Sequence, residues 1–501
     1  MKLTKKINGL LFITFVFVFS CTQNIKKSDK KLESLAVNQC DCYSQSSLYN
    51  IPIHFDNQVP GDLQSFNNQS QVDCFSWQEF ISLNWPVDTT HSFGQPRDTS
   101  FVQWETYIPK DVLFQPGGVA PPAWGTLISD EYNEKFKKQK LSVDRKNTKL
   151  LSFTSKFSKP NLLKDIEKDL GFEEAAPFNG PNWLGAQNGT NVWYEILLNK
   201  DFYDFVTERH YYNAAVQHDS ARACIPLNFP KGVYNGATGA IELKVAWMEV
   251  PNPESEQWNR YKLSVATVLD PTTDSLRTTT VALVGMNILH KTTNQPTWVW
   301  STFEHIDNSP EESEIKQAAP PYGYNFYNSE CKAQNINVAD STVTVSCTPN
   351  TSPPYYLSEA KPVPIQIVKS NPIDQVDAAP INAKMQAAIK GFYPNSVWQY
   401  YELIDVIWSK QLQPDFTTPK EAPRQLNVSA MTSGASIVAN TTMESYVQTT
   451  NTCFSCHVCS HIAPFPADSV NNNIFGDFSF AIKFAKYSQS DIKKWSSDTK
   501  K

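Results

Sequence analysis

The chain carries no excess of positive charge: 44 Lys and Arg stand against 50 Asp and Glu, a net charge of -6 over 501 residues. It therefore offers no basic field for nucleic acid. Long apolar runs are scarce as well. After residue 21 none approaches the roughly 20 residues that span a bilayer, so the rest of the chain is expected to be soluble. No Ser/His/Asp constellation, phosphate loop or other catalytic spacing points to a hydrolase, and no internal repeat divides the sequence. Methionine is missing after residue 443. What is abundant is ring-bearing: 33 Pro, 20 Tyr, 29 Phe and 13 Trp describe a loop-rich, aromatic fold. The length allows about three domains.

The strongest chemical signal lies between Asn451 and Pro464, NTCFSCHVCSHIAP. Cys453, Cys456 and His457 form CxxCH, the spacing by which two thiols add to the vinyl groups of a haem while the next histidine ligates its iron. Other readings of the same residues stay open. An iron-sulfur cluster would use Cys453, Cys456 and Cys459, but the ferredoxin run needs a fourth Cys followed by Pro, and none follows. A zinc site would draw on two thiols with His457 and His461, all from one short loop. A disulfide beside an uninvolved histidine is the plainest reading.

The first residues, MKLTKKINGLLFITFVFVFSC, place lysines before an apolar run from Ile7 to Phe19. That pattern reads as a secretory signal, too short to span a bilayer comfortably. Its ending, Val18-Phe19-Ser20-Cys21, resembles the lipobox of bacterial lipoproteins, which implies lipidation of Cys21 and membrane anchoring. An ordinary cleaved signal is the alternative. Export agrees with a haem motif, because c-type haem is attached outside the cytoplasm, where thiols otherwise tend to oxidise. The expected location is the cell envelope, lipid-anchored at the outer membrane and facing the periplasm. Among the remaining cysteines, Cys331 and Cys347 are the expected disulfide, since the intervening NINVADSTVTVS reads as a turn feeding a strand.

Composition divides the chain into a lipoprotein signal (1–21), a polar flexible tether (22–71), a β-rich body with a helical end (72–430) and a c-type haem-binding segment (431–501). The body opens with a helix around SWQEFISLNWP, with Ser76 and Glu79 as a capping box. Asn191 to Arg209 reads as a strand followed by a helix capped by Asn199. Ala240 to Val250 and Val281 to Leu289 read as strands, the second forming a hairpin with Trp298 to Phe303. Further on the pattern turns helical: Ile381 to Ile389, then Val397 to Gln411. Thr441 and Glu444 form a second capping box ahead of MESYVQ, and Asp477 caps FSFAIKFAKY. The expected class is α+β, a β-rich aromatic body with a mostly helical C-terminal region that carries the haem motif.

Several phrases occur together: SWQEFISLNWP, YEILLN, AIELKVAWM, LVGMNILHKT, WVWSTFEHIDN, VWQYYELI, NTTMESYVQ, SCH and DFSF. In this order the chain resembles a group of uncharacterised bacterial secreted proteins known as cytochrome c family proteins. The resemblance implies a monohaem c-type protein with a large non-haem body, in which Cys453, Cys456 and His457 carry the haem. The chain departs from that pattern at Asn287, where the group tends to have His, and at Cys459 and His461, which look like additions.

With no Met downstream of CxxCH, the second iron ligand has to come from upstream, or the position is open. His305, His290, Met286 and Met443 are the candidates. His305 ranks first because Glu304 and Asp307 flank it, and a carboxylate-held imidazole is the better ligand. Trp298 and Trp300 are expected to line the pocket. The functional expectation is an exported, membrane-anchored cytochrome with one covalent haem c, acting in electron transfer or haem redox chemistry. The motif does not separate a carrier from a haem-dependent oxidoreductase, nor name a redox partner protein or small-molecule substrate. The alternative is a ligand-binding lipoprotein, for instance for a glycan, with an aromatic platform and structural cysteines.

Overall fold

The computed structural model describes residues 53–66, 68–152, 184–270, 275–331, 336–337, 347–348, 364–409, 438–446, 448, 453, 457, 460–464 and 474–498. All fall within one compact unit, residues 36–501. Its frame is a single sheet of β1 (Ile108–Pro109), β2 (Lys149–Leu151), β3 (Val192–Leu198), β4 (Ile241–Val250), β5 (Leu263–Asp270), β6 (Ser275–His290), β7 (Val299–His305) and β8 (Tyr401–Ile407). Among the described residues the named α-helices are α1 (Gln69–Leu83), α2 (Lys110–Leu113), α3 (Asp130–Lys138), α4 (Lys200–Glu208), α5 (Ala214–Arg222), α6 (Ala378–Phe392) and α7 (Gln489–Asp498).

The long strand β6 changes partner along its length. β4 runs along one edge, while β5 pairs with its first half and β7 with Gly285–His290. The change coincides with a register shift beside Ala246 and Trp247 that leaves Val284 without a partner on β4. An extra residue of this kind bends a strand and increases its twist. At the other side β2 pairs in parallel with β5, and Lys149 reaches Glu195 of β3 at 2.8 Å. The sheet thus curls into a half-barrel around buried charges, with Lys149 and Lys262 both on Glu105.

Both faces of the sheet are covered, which is why all ten residues of β4 are buried. One face carries Leu243, Val245, Met286, Ile288, Phe303 and Leu403, under α1 and α6. Trp77 Nε1 of α1 donates to Asn382 Oδ1 of α6, whose amide donates to Leu403 O of β8. The opposite face carries Leu289, Trp300, Ile404 and Ile407, under residues drawn from 462–485. Gly285 permits a close approach on that face: a Cβ there would stand 2.1 Å from Thr442 Oγ1.

The expected class is corrected by this architecture, because the C-terminal region is not mostly helical. Val397–Tyr400 is a 3-10 turn and Tyr401–Ile407 is strand β8. A strand buried on both faces has no apolar alternation, so its pattern reads equally as a helix. Residues 441–446 form turns rather than a helix. Thr441 Oγ1 donates to Glu304, and the Glu444 carboxylate accepts the Asn440 N–H. After Asp477 only a 3-10 turn follows, Ala481–Phe484, before α7. Ser76 and Glu79 fall inside α1, which begins at Gln69 with Asn68 accepting the Gln71 N–H. The tether is shorter than composition suggested, since Ile53, Phe55, Val59, Leu63 and Phe66 pack against the body. The strand-helix unit at 192–208 is as expected, with Asn199 Oδ1 accepting from Phe202 N–H at 3.1 Å.

Candidate functional site

His457 is 3% exposed and stands over the β4–β7 face of the sheet. Its Nδ1 lies 2.7 Å from Phe478 O, and its Nε2 lies 3.2 Å from Lys244 Nζ in the middle of β4. A carbonyl only accepts, so Nδ1 carries the proton. Nε2 faces an amine and keeps its lone pair. The ring is walled by Trp300 and Phe480, with centroids 4.6 Å and 4.9 Å away at 61° and 62°. An imidazole whose Nδ1–H is held by a carbonyl is fixed in orientation and made more basic at Nε2, the arrangement that metal-ligating histidines use.

The turn that supplies the carbonyl is built at a cost. Asp477 and Phe478 have φ of 52° and 66°, and Trp298, which meets the same turn, has φ 68°. Such conformations cost roughly 1–3 kcal/mol each for non-glycine residues and persist only where surroundings enforce them. Here the surroundings are extensive. The Asp477 carboxylate pairs with the buried Lys291 ammonium at the end of β6 and accepts the Phe229 N–H at 2.7 Å. Burial raises its pKa, and Lys291 opposes that shift. Trp298 Nε1 donates to Asp477 O at 2.9 Å, Ser479 Oγ donates to Glu242 of β4 at 2.6 Å, and Gly476 N–H donates to Ser460 O at 3.0 Å.

Cys453 shares the site. It has helical conformation, as does His457. It is half-buried against the apolar cluster that contains Trp298, Trp300 and Phe478. Cys456, Cys459 and Cys21 lie outside the described residues. His461 bonds through Nδ1 to Ile462 O at 2.8 Å. Cys331 and Cys347 form a disulfide with Cα atoms 4.8 Å apart. Asn287 sits beside Lys244 in the β4–β6 pairing and accepts from Thr302 Oγ1 at 2.5 Å.

His305 does not join this site, which corrects the expectation that it faces the iron. It is fully buried at the far end of β7 from Trp300, five residues on and therefore on the opposite face of the sheet. Its ring stacks on Tyr261 at 3.7 Å; Nε2 meets Arg260 O at 3.0 Å, and Nδ1 accepts the Asp307 N–H at 3.1 Å. Burial pulls its pKa down to about 4 despite Asp307. His290 is committed too, with Nδ1 2.5 Å from Glu79 Oε1 and Nε2 2.6 Å from Thr238 O. Both partners accept, so the ring is an imidazolium. Burial opposes that charge, but Glu79 and Thr238 together outweigh it and raise the pKa. Met286 belongs to the cluster under α1, away from His457, whereas Met443 packs on the same side as Tyr194 and Ala246.

No protein-family model, curated protein or solved structure matches this chain. Among the described residues no group of three or more His, Cys, Asp or Glu side chains is arranged to hold a metal ion, and no helix is long and apolar enough to cross a membrane. As parts of this site, sequence reasoning misses Lys244, Phe478 and Phe480, and it reads Asp477 only as a helix cap. A signal for the first was present. In IELKVAWMEV, Glu242 and Lys244 interrupt the apolar first half of the strand, two residues apart and so on one face.

Proposed function

We propose that Cys453, Cys456 and His457 hold one covalent haem c, and that the protein is an exported, lipid-anchored monohaem cytochrome of the cell envelope. The observation that carries this reading is the His457 tautomer: Nδ1–H given to Phe478 O, with the Nε2 lone pair presented in a site walled by Trp300 and Phe480. The donor set fits the group, because neutral imidazole and thioether-forming cysteine at CxxCH spacing are what a c-type haem requires. When bound, the haem supplies one-electron redox chemistry. The protein's own residues do the rest. The clamped 476–479 turn fixes the imidazole, the aromatic walls exclude water, and a low-dielectric surround favours the less positive state of whatever charge sits there. The resemblance to cytochrome c family proteins and the export signal ending at Cys21 point the same way.

The glycan-binding alternative needs its aromatic residues on the surface. Trp77, Trp104, Trp247, Trp298 and Trp398 are all fully buried. The exposed aromatics among the described residues are Tyr234, Tyr322 and Phe392, and Phe392 packs on the half-buried Phe55. The test of the haem reading is a peroxidase stain of the protein after denaturing electrophoresis, following expression with a c-type maturation system. Stain that survives denaturation is expected, and its loss in Cys453→Ser/Cys456→Ser identifies the attachment point.

A further inference from the structure

His457 accounts for one side of the site only. The group that meets its Nε2 lone pair is Lys244 Nζ at 3.2 Å. Lys244 is 2% exposed and rises from a strand buried throughout. It is thus held against the ligand atom by the rigid centre of the sheet, not by a surface loop. The histidines that sequence reasoning offered for the far side are committed elsewhere: His305 lies on the other face with both nitrogens engaged, and His290 is locked in its pair with Glu79. Met286 faces the other way.

We propose that Lys244 is the second axial ligand of the iron held by His457, an inference that rests on the haem reading above. On ligation the ammonium gives its proton to solvent and the freed nitrogen lone pair forms the bond to iron; no electron is transferred. Two metal–nitrogen bonds of about 2 Å each set trans donors about 4 Å apart, so the pair has to open by about 1 Å. A four-carbon side chain with free torsions absorbs that by a change of rotamer, which a histidine on β4 could not.

The test uses the full-length haem-loaded protein. Wild type is expected to be low spin in both oxidation states, and Lys244→Ala to lose the low-spin visible and electron paramagnetic resonance signals while its haem survives denaturation. Lys244→Met is expected to regain a low-spin state with altered signals, since a thioether then takes the position. Should Lys244→Ala not fold, wild type alone suffices. In the reduced, diamagnetic protein grown with isotope-labelled lysine, one lysine's terminal methylene protons are expected far upfield, displaced by the haem ring current. A ring-current-shifted methionine methyl signal, a high-spin wild type, or an unchanged low-spin Lys244→Ala spectrum overturns the assignment and leaves the haem reading standing. The unchanged spectrum would move the role to a residue outside the described set, such as Met431. Colourless wild-type protein overturns both.

Discussion

Replacing Asp477 with Ala should destabilise the protein by about 4 kcal/mol, and the figure follows from what the carboxylate touches. Lys291 is 1% exposed and its ammonium pairs with Asp477. Breaking a buried ion pair from one side costs about 3–5 kcal/mol because the other charge stays buried. Asn228 Oδ1 remains 2.9 Å from the ammonium, which sets the loss at the lower end of that range. The Phe229 N–H loses its acceptor, and Ala tolerates the φ of 52° less well than Asp, by about 1 kcal/mol. These terms share one cause and do not add fully. Asp477→Asn keeps the backbone preference and an acceptor for Phe229, so its cost should be about half. Urea denaturation of wild type and both variants measures the difference. Because the same turn aims Phe478 O at His457, the Ala variant should also mature with less haem per chain. A loss below about 1 kcal/mol for Asp477→Ala would refute the claim that this pair holds the turn.

His305 titrates near 4 when folded and near 6.5 when unfolded, so the unfolded chain takes up the proton first as pH falls. Its contribution is complete above pH 6.5 and is lost at about 1.4 kcal/mol per pH unit down to pH 4; His305→Asn should remove that slope from stability measured against pH, and an unchanged slope would discard the buried neutral imidazole. Asp73 is fully buried, and burial followed by the Asp405 carboxylate lifts its pKa well above the usual range. Its contribution to stability therefore falls as pH rises above 3.8, and Asp73→Asn should gain on wild type as pH rises from there in urea melts. A variant that instead falls behind with rising pH would show the carboxylate to be charged. Cys21→Ala should release the protein from the membrane fraction or leave an unprocessed precursor, since acyl chains contribute about 0.8 kcal/mol per buried CH₂. Membrane association that survives the substitution would rule out the lipid anchor.

Strands with a distinct apolar run were legible in the sequence. The central hairpin of β6 and β7 lies where Val281 to Leu289 and Trp298 to Phe303 place it, and Asn199 caps α4 as its position before DFYDF implies. β8 was not legible, because both its faces are buried and its apolar residues follow neither period. The caps failed for a related reason. Thr441, Asp477 and Glu79 have capping chemistry at capping spacing, but each is used by a residue distant in sequence: Glu304, Lys291 and His290. A side chain's local preference yields when a buried charge needs it more. In the site, His457 announced itself by its motif, whereas Phe478 contributes only a backbone carbonyl, to which side-chain identity is almost silent. The flanking carboxylates make His305 look like the better ligand in sequence. Strand geometry sends Glu304 to the opposite face, and Asp307 serves the ring through its N–H, so the flanks say nothing of a metal.

The central claim is tested most directly by haem content per chain, measured from the reduced-minus-oxidised visible spectrum before and after denaturation, in wild type and in Cys453→Ser/Cys456→Ser. The account predicts one haem per chain that stays attached when the wild-type protein is unfolded, and none in the variant. Folded wild-type protein that remains colourless after production in cells that mature c-type cytochromes would contradict it.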